Sequence, residues 1–162
     1  MYIGTQDLLK QYDAYLLEHG YQIEELVNLA SDALLNHFTK YNRFAILIGP
    51  GNNGADGYSL GLKLEKLRKH VIYYYSGDIG KVSQANRYYR DQCEENHLIY
   101  VDEDNINTIN WNDYDCIVDG LFGFGLNSAP RGMYKIIIES IMNHYNGTIG
   151  AVSYTHLRAH ET

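Results

Sequence analysis

The sequence predicts an α/β protein with a Rossmann-like three-layer fold, a mostly parallel central sheet and a helical N-terminus. Three observations lead to this prediction. Short apolar runs alternate along the chain with segments of helical periodicity. A glycine-rich stretch follows the first apolar run directly, and a second one follows the fourth run. The length of 162 residues suits one domain of this kind.

The first half of the chain supplies one strand–helix–strand unit after a helical start. Residues 5–38 have helical periodicity, and Gly20 divides them into two helices. The apolar run 44–48 predicts a buried strand. A helix is expected to follow the glycine-rich stretch as far as His70, and the next strand covers 71–75. Two strands joined by a helix are expected to be parallel.

The second half continues the alternation. We predict a helix over 82–96, a short strand over 98–101, and a strand over 114–118 that ends at Asp119. The second glycine-rich stretch comes next, followed by a helix over 132–144. Residues 148–152 form the beginning of a further strand. The last nine residues are polar and charged, and resemble translated vector or adapter sequence. We therefore expect a domain over 1–153 that lacks its C-terminal part, and a non-native tail over 154–162.

Composition narrows the classes of partner. The net charge of −7 argues against a nucleic-acid partner, because phosphates demand a basic surface. No apolar run approaches the roughly 20 residues of a membrane span. The two cysteines, Cys93 and Cys116, are far apart, and no secretion signal precedes them. A reduced cytoplasmic protein is the expected setting.

The first glycine-rich stretch, IGPGNNGADG, places Gly49, Gly51 and Gly54 at the spacing of a dinucleotide fingerprint. Taken alone this is a weak signal, because the glycines can simply form a tight turn, or reach positive φ, before a helix. Asp56 stands where we expect the helix to begin, and a carboxylate there repels a phosphate. Ala55 and Asp56 also replace the Lys and Ser/Thr of a phosphate loop. The amide-rich, acidic loop suits hydroxyls, amides or a bound cation better.

The second stretch, VDGLFGFGL, places Asp119 at the end of an apolar strand. A carboxylate there can act as a general acid or base, or it can only accept a hydrogen bond from its own loop. Both glycine-rich stretches follow strands, so both are expected at one edge of the sheet. Asn53, Asp56 and Asp119 are then expected to face one crevice.

Together the two motifs resemble the NAD(P)H-hydrate epimerase family, the YjeF N-terminal domain. The segment IEELVNLASDAL is similar to the family's N-terminal helix, and the resemblance covers about 23–152. It implies epimerisation of the R and S forms of hydrated NADH and NADPH, the damaged cofactors NADHX and NADPHX. It also implies one potassium ion per subunit, a homodimer, and a functional link to an NAD(P)HX dehydratase.

By position, the resemblance implies that Asn53 and Asp119 hold the potassium ion and that Asp119 is the catalytic acid–base group. The residues implied to contact the substrate are Asn52, Asn53, Gly54, Ala55, Asp56, Gly123, Phe124, Gly125, Leu126, Asn127, Ser128 and Ala129. The chain departs from the family at Ala55, where Gly is usual, and at Phe124, where Thr is frequent. It also runs Tyr154, Thr155, His156 where the family has a D-x-P-S-G segment that binds substrate and potassium.

Two alternatives remain at this point. The domain can be a non-catalytic ligand-binding or scaffold module of the same fold. It can also be an NAD-dependent oxidoreductase, in which Asp78 after the second strand binds a ribose hydroxyl. Asp78 lies a few residues late for that role, and no catalytic Tyr/Lys or His pair accompanies it.

Overall fold

A computed structural model describes residues 23–121 and 132–152, together with Glu18. Apart from Glu18, which is helical, the helix predicted before Gly20 lies outside the described residues, and so do the second glycine-rich loop from Phe122 onward and the tail over 154–162. In chain order the helices and strands are α1 (Ile23–Phe38), β1 (Arg43–Ile48), α2 (Asn52–Lys66), β2 (His70–Tyr75), α3 (Gln84–Arg90), β3 (Leu98–Tyr100), β4 (Cys116–Gly120), α4 (Gly132–His144) and β5 (Thr148–Ala151).

The five strands form one parallel sheet in the order β3-β2-β1-β4-β5. The chain builds outward from β1 on one side and then restarts at β4 on the other. Strand order therefore reverses between β1 and β4, where Leu47 is paired with Asp119 and Ile48 with Gly120. Open α/β sheets bind ligands at the carboxyl ends of strands at such a switch point. The predicted fold class is confirmed.

Helices cover both faces of the sheet, which makes the three layers. On β1, Phe44, Ile46 and Ile48 pack into the core shared with α1, α2 and α3. Ala45 and Leu47 point the other way, into the core shared with α4. A strand buried on both faces needs apolar residues at every position, which explains the unbroken run FAILI.

Polar side chains connect α1 to α2. Ser31 and Ser59, both almost fully buried, share a hydrogen bond of 2.7 Å between their hydroxyl oxygens. Lys63 Nζ donates to Ser31 Oγ at 2.7 Å and forms a 2.7 Å ion pair with Asp32. A buried donor or acceptor left without a partner is costly, so this group fixes how the two helices meet.

Two helices end earlier than the sequence predicts. Helix α2 stops at Lys66 rather than near His70, because Arg68 takes a left-handed conformation (φ 65°) and its N–H caps the carbonyl of Glu65. His70 is already the first residue of β2. Helix α3 stops at Arg90 rather than at Asn96. The chain turns there, and the ring of His97 contacts the carboxylate of Glu65 at 2.9 Å.

The remaining strands and α4 agree with their predicted positions to within two residues. In α4, Ile137 and Ile141 are buried, as the helical spacing predicts, and Met133 packs against the same core. Cys93 and Cys116 are free thiols. In the described ranges 23–121 and 132–152, every helix is too short or too polar to cross a membrane.

Candidate functional site

The candidate site lies where β1 and β4 end side by side. The N–H of Gly49, the first residue after β1, donates to the carbonyl of Gly120 at 2.9 Å and so extends the pairing of the two strands. Helix α2 begins only three residues later, at Asn52. This very short connection between β1 and α2 places the first turn of α2 close to the end of β4, which pairs with β1.

Glycine is required where the two motifs touch. A Cβ atom on Gly49 would collide with the main chain of Leu121. A Cβ on Gly120 would lie 2.7 Å from the carbonyl oxygen of Leu47 and 3.1 Å from that of Asn53. Gly120 therefore lets the first turn of α2 sit directly against the end of β4. This contact brings the predicted residues Asn53 and Asp119 into one region.

The start of α2 differs from the sequence prediction. The helix begins at Asn52, so Asp56 lies one turn inside it, half-buried, instead of at its first residue. The glycines of this loop also do not use positive φ: among the described glycines, only Gly77 and Gly132 do so. The reason is that close packing, and not a left-handed turn, demands glycine here.

Close packing continues into the helix itself. Cβ atoms on Gly54 and Gly57 would meet the carbonyl of Gly49 and the side chain of Ile48, respectively. These two glycines let α2 lie directly on β1, as the third glycine of dinucleotide-binding folds does. Ala55 is buried and helical with negative φ. The departure from the family pattern at this position therefore causes no backbone strain.

The first turn of α2 lies beside the end of β4 with N–H groups that no described residue accepts. Its N-cap, Gly51, has no side chain to cap the helix. The first intrahelical bond runs from Ala55 N–H to the Gly51 carbonyl at 3.3 Å. In the part of the chain that the structure describes, no acceptor is recorded for the N–H groups of Asn52, Asn53 and Gly54. Such a helix terminus favours an oxygen-rich or anionic group.

Asp119 is held at the end of β4 with a defined orientation. Its side chain is half-buried, and Oδ1 accepts a hydrogen bond from the N–H of Leu121 at 2.9 Å. Its main-chain carbonyl accepts from Val152 N–H at 3.1 Å, which ties β4 to the end of β5. The loop hydrogen bond considered from sequence is thus present, and it orients the carboxylate.

The structure brings together one part of the predicted site. Asn52, Asn53, Gly54, Ala55 and Asp56 all lie on the first two turns of α2, beside Asp119. The other predicted substrate contacts lie outside the described residues: Gly123, Phe124, Gly125, Leu126, Asn127, Ser128 and Ala129.

Sequence reasoning missed the residue that holds the loop from behind. Asn86 on α3 is 1% exposed, and its side-chain Nδ2 donates to the carbonyls of Gly49 at 2.7 Å and Gly51 at 3.1 Å. Ser83 N–H donates to the carbonyl of Pro50, between them, at 2.8 Å. One sequence signal was available: Asn86 stands next to Ala85 and one helical turn before Tyr89, on the apolar face of α3.

A small recess lies beneath the same loop, and Tyr58 lines it with Gly49, Pro50 and Asn86. Burial raises the pKa of the Tyr58 hydroxyl well above its usual range, and the nearby positive charge of Arg90 opposes this shift. Arg90 itself stacks on the ring of Tyr75, 4.7 Å from its centre. The underside of the loop is therefore aromatic and closely packed.

Fold and site together define a class: a doubly wound α/β protein with a ligand site at its switch point, lined by amide groups and one carboxylate. The chain belongs to the family described as "YjeF-related protein N-terminus", whose family model matches residues 23–153. The resemblance stated from the two motifs is confirmed.

Individual relatives agree. A protein of Anaerococcus prevotii named NAD(P)H-hydrate epimerase is 32% identical over 131 residues, covering 76% of this chain and 60% of its own length. One of the same name from Entamoeba histolytica is 27% identical over 147 residues, covering 86% of this chain and 63% of its own. This chain thus spans roughly 60% of the length of these relatives.

Among solved structures, the crystal structure of yeast ynu0 superposes with a TM-score of 0.77 at 23% identity, covering 94% of this chain and 70% of that one. This likeness supports the fold.

Proposed function

We propose that this chain is part of an enzyme that epimerises the R and S forms of hydrated NADH and NADPH in nicotinamide-cofactor repair. The observation that carries the proposal is the meeting of the two motifs at the switch point. Gly49 and Gly120 are bonded to each other, so the amides of α2 and the carboxylate of Asp119 border one crevice. The name shared by the relatives supports the same reaction.

Asp119 is the proposed acid–base group. The hydroxylated carbon of the substrate is a hemiaminal, next to a ring nitrogen. A protonated Asp119 gives its proton to the hydroxyl, which leaves as water while the nitrogen lone pair stabilises the cation. Water then adds to the opposite face and returns a proton to the carboxylate. The bond from Leu121 N–H fixes the direction in which this carboxylate acts.

Asn52, Asn53, Gly54, Ala55 and Asp56 are the proposed substrate contacts on α2. The unused N–H groups of its first turn suit the oxygens of the substrate, whereas Asp56 sits one turn further in. That difference answers the objection raised from sequence, because the carboxylate of Asp56 does not occupy the helix end itself. The helix end keeps its attraction for negative charge.

A potassium ion at Asn53 and Asp119 is part of the proposal. Carboxylate, amide and carbonyl oxygens are the donors that a hard cation prefers, and the Asn53 main chain lies against Gly120 beside Asp119. A bound potassium ion supplies positive charge at the crevice. We also propose a homodimer, a cytoplasmic setting for the two free thiols, and a dehydratase that consumes one of the epimers.

The experiment that tests this function follows interconversion of purified S and R NADHX by chromatography. It uses this chain and a chain extended to the length of its relatives, each with potassium and with sodium. Asp119→Asn in the active version is expected to lower turnover at least 100-fold, on the order expected for a lost acid–base group, and to leave the unfolding midpoint unchanged within a few degrees.

Each outcome bears on a different part of the proposal. Turnover retained in Asp119→Asn would remove that residue from the chemistry. Equal turnover in both salts would remove the potassium ion. Failure of both chain lengths to interconvert the epimers would leave the non-catalytic binding module as the better account.

A further inference from the structure

The three main-chain carbonyls of the loop that follows β1 all accept hydrogen bonds from α3 or from its N-cap residue, Ser83. The carbonyls of Gly49 and Gly51 accept from Asn86 Nδ2, at 2.7 and 3.1 Å, and that of Pro50 accepts from Ser83 N–H at 2.8 Å. Because the carbonyls of a tight turn and its N–H groups point in different directions, holding the carbonyls behind the loop leaves the N–H side at the crevice.

The loop and Asn86 fit each other sterically as well as chemically. A Cβ on Gly54 would collide with both the Gly49 carbonyl and Asn86 Nδ2. Because Gly54 has no side chain, the Asn86 amide can occupy the space beside it. The amide is also the right group for the task, since it has two N–H donors and two carbonyls accept them.

Asn86 is itself held in place. The side chain of Ser83 caps α3 by accepting from Asn86 N–H at 3.2 Å. Asn86 is 1% exposed and Gly49 is buried, so water does not readily replace the amide as a donor to the Gly49 carbonyl. A loss of the amide donors would therefore leave the buried Gly49 carbonyl without the hydrogen bond from Asn86, directly beneath the first turn of α2, whereas the Gly51 carbonyl would keep its bond from Ala55 N–H.

We propose that Asn86 is a positioning residue: it fixes the glycine loop so that the first-turn N–H groups of α2, with Asn52 and Asn53, face the crevice. Asn86 acts through the loop and is separated from the crevice by it. The consequence for catalysis rests on the function proposed above, whereas the consequence for loop structure does not.

The test measures amide hydrogen exchange by mass spectrometry in peptides that cover residues 48–58. Asn86→Ala removes both donors, and Gln84→Ala is its matched control, because Gln84 is an exposed amide on the same helix. We expect exchange in these peptides to rise on the order of tenfold or more in Asn86→Ala and to stay at the parent rate in Gln84→Ala. Peptides from the 106–113 segment, on the other face of the sheet, should not change.

A second pair keeps the test valid if the alanine variant unfolds. Asn86→Asp preserves size and removes the donors at neutral pH, and Gln84→Glu makes the same chemical change on the exposed position. Near pH 4 the introduced carboxyl can protonate and donate one hydrogen bond, so loop exchange in Asn86→Asp should move back toward that of Gln84→Glu at the same pH. Equal loop exchange in both members of each pair would overturn the proposal.

Turnover supplies the functional arm. In a version of the protein that interconverts the epimers, Asn86→Ala should lower kcat/KM by about tenfold or more, with Gln84→Ala at the parent value. Faster loop exchange with kcat/KM unchanged would reduce Asn86 to a stability role and overturn the positioning. If no version turns over, the proposed function fails, while hydrogen exchange still decides whether Asn86 holds the loop.

Discussion

The loops after β1 and β2 emerge from neighbouring strands at the same edge of the sheet, yet other elements hold the first along its length and the second only at its start. The loop after β1 is bonded to the rest of the protein, through Gly120 on one side and Asn86 on the other. The loop after β2 has outside partners only at its start, where the hydroxyls of Tyr134 and Tyr100 donate to the carbonyls of Ser76 and Gly77 at 3.0 and 3.1 Å. Gly77 then takes φ 81°, and beyond it the loop is bonded to itself, with Asp78 Oδ1 accepting from Gly80 N–H at 2.8 Å. Its residues 77–80 are exposed.

This difference indicates which loop can position a substrate. A loop whose main chain is fixed by two separate elements keeps its N–H groups in one arrangement, which is what binding and orientation require. The part of the second loop beyond Gly77 depends on its own turn, is exposed, and therefore opens more easily. The oxidoreductase alternative needed Asp78 to bind a ribose hydroxyl, but the structure uses Asp78 to cap a short turn.

The largest effect should come from filling the contact between the first loop and β4. Gly49→Ala places a methyl group against the main chain of Leu121, which cannot move without breaking the pairing of β1 with β4. We expect a loss of about 3 kcal/mol or more in the free energy of unfolding, or no folded protein. Urea unfolding followed by circular dichroism measures the change.

Gly51→Ala is the matched control two residues away. A Cβ at Gly51 meets nothing within 4 Å, and its φ of −97° suits any residue. This variant should lose at most about 1 kcal/mol, because alanine is a poorer N-cap than glycine but restricts the unfolded chain. Equal losses in the two variants would mean that the loop is not fixed by its contact with β4.

These two glycines also show how much the sequence could predict. Alternating apolar runs and glycine-rich stretches were enough for the fold class, because a strand buried on both faces must be apolar throughout. They also placed Asn53 and Asp119 at one edge, since parallel strands end together. The pattern did not distinguish Gly49, where contact forbids a side chain, from Gly51, where space is open. That distinction depends on Leu121, far away in sequence.

Asn86 marks the same limit from the other side. The residues around Asn86 predicted a longer helix. Nothing in the sequence of α3 indicates that the Asn86 amide bonds to the carbonyls of Gly49 and Gly51. Likewise, the end of α2 depended on the left-handed Arg68, which periodicity does not reveal. Sequence patterns report burial and chain direction well, but they do not report which distant backbone a buried polar group satisfies.

A medium effect, dependent on pH, should appear beneath the first loop. Burial of the Tyr58 hydroxyl raises its pKa above 10.0, and the nearby charge of Arg90 only partly opposes this shift. A raised pKa in the folded state means that stability is complete below pH 10 and is lost as pH rises above it. Tyr58→Phe removes the group that ionises. The free energy of unfolding of this variant, relative to that of the parent, should therefore rise by about 1.4 kcal/mol between pH 8 and pH 11.

Urea unfolding at the two pH values checks this prediction, with Tyr88→Phe as the control. Tyr88 lies on α3 and is 51% exposed, so the same change of side chain there removes an exposed hydroxyl and leaves the buried hydroxyl of Tyr58 in place. An advantage of Tyr58→Phe that stays constant with pH would show that the underside of the loop admits water.

The smallest effect should come from the second loop. Asp78→Ala removes the bond to Gly80 N–H at the start of an exposed three-residue turn, where water can replace the lost acceptor. We expect a loss of about 0.5 kcal/mol, the low end for a helix cap. Turnover of the hydrated cofactors should remain within twofold of the parent, because this loop is proposed to hold the substrate less firmly than the loop after β1. A fall in kcat/KM comparable to that of Asn86→Ala would mean instead that both loops bind the dinucleotide. A loop held by its own hydrogen bond, such as that between Asp78 and Gly80, could then still contribute to binding.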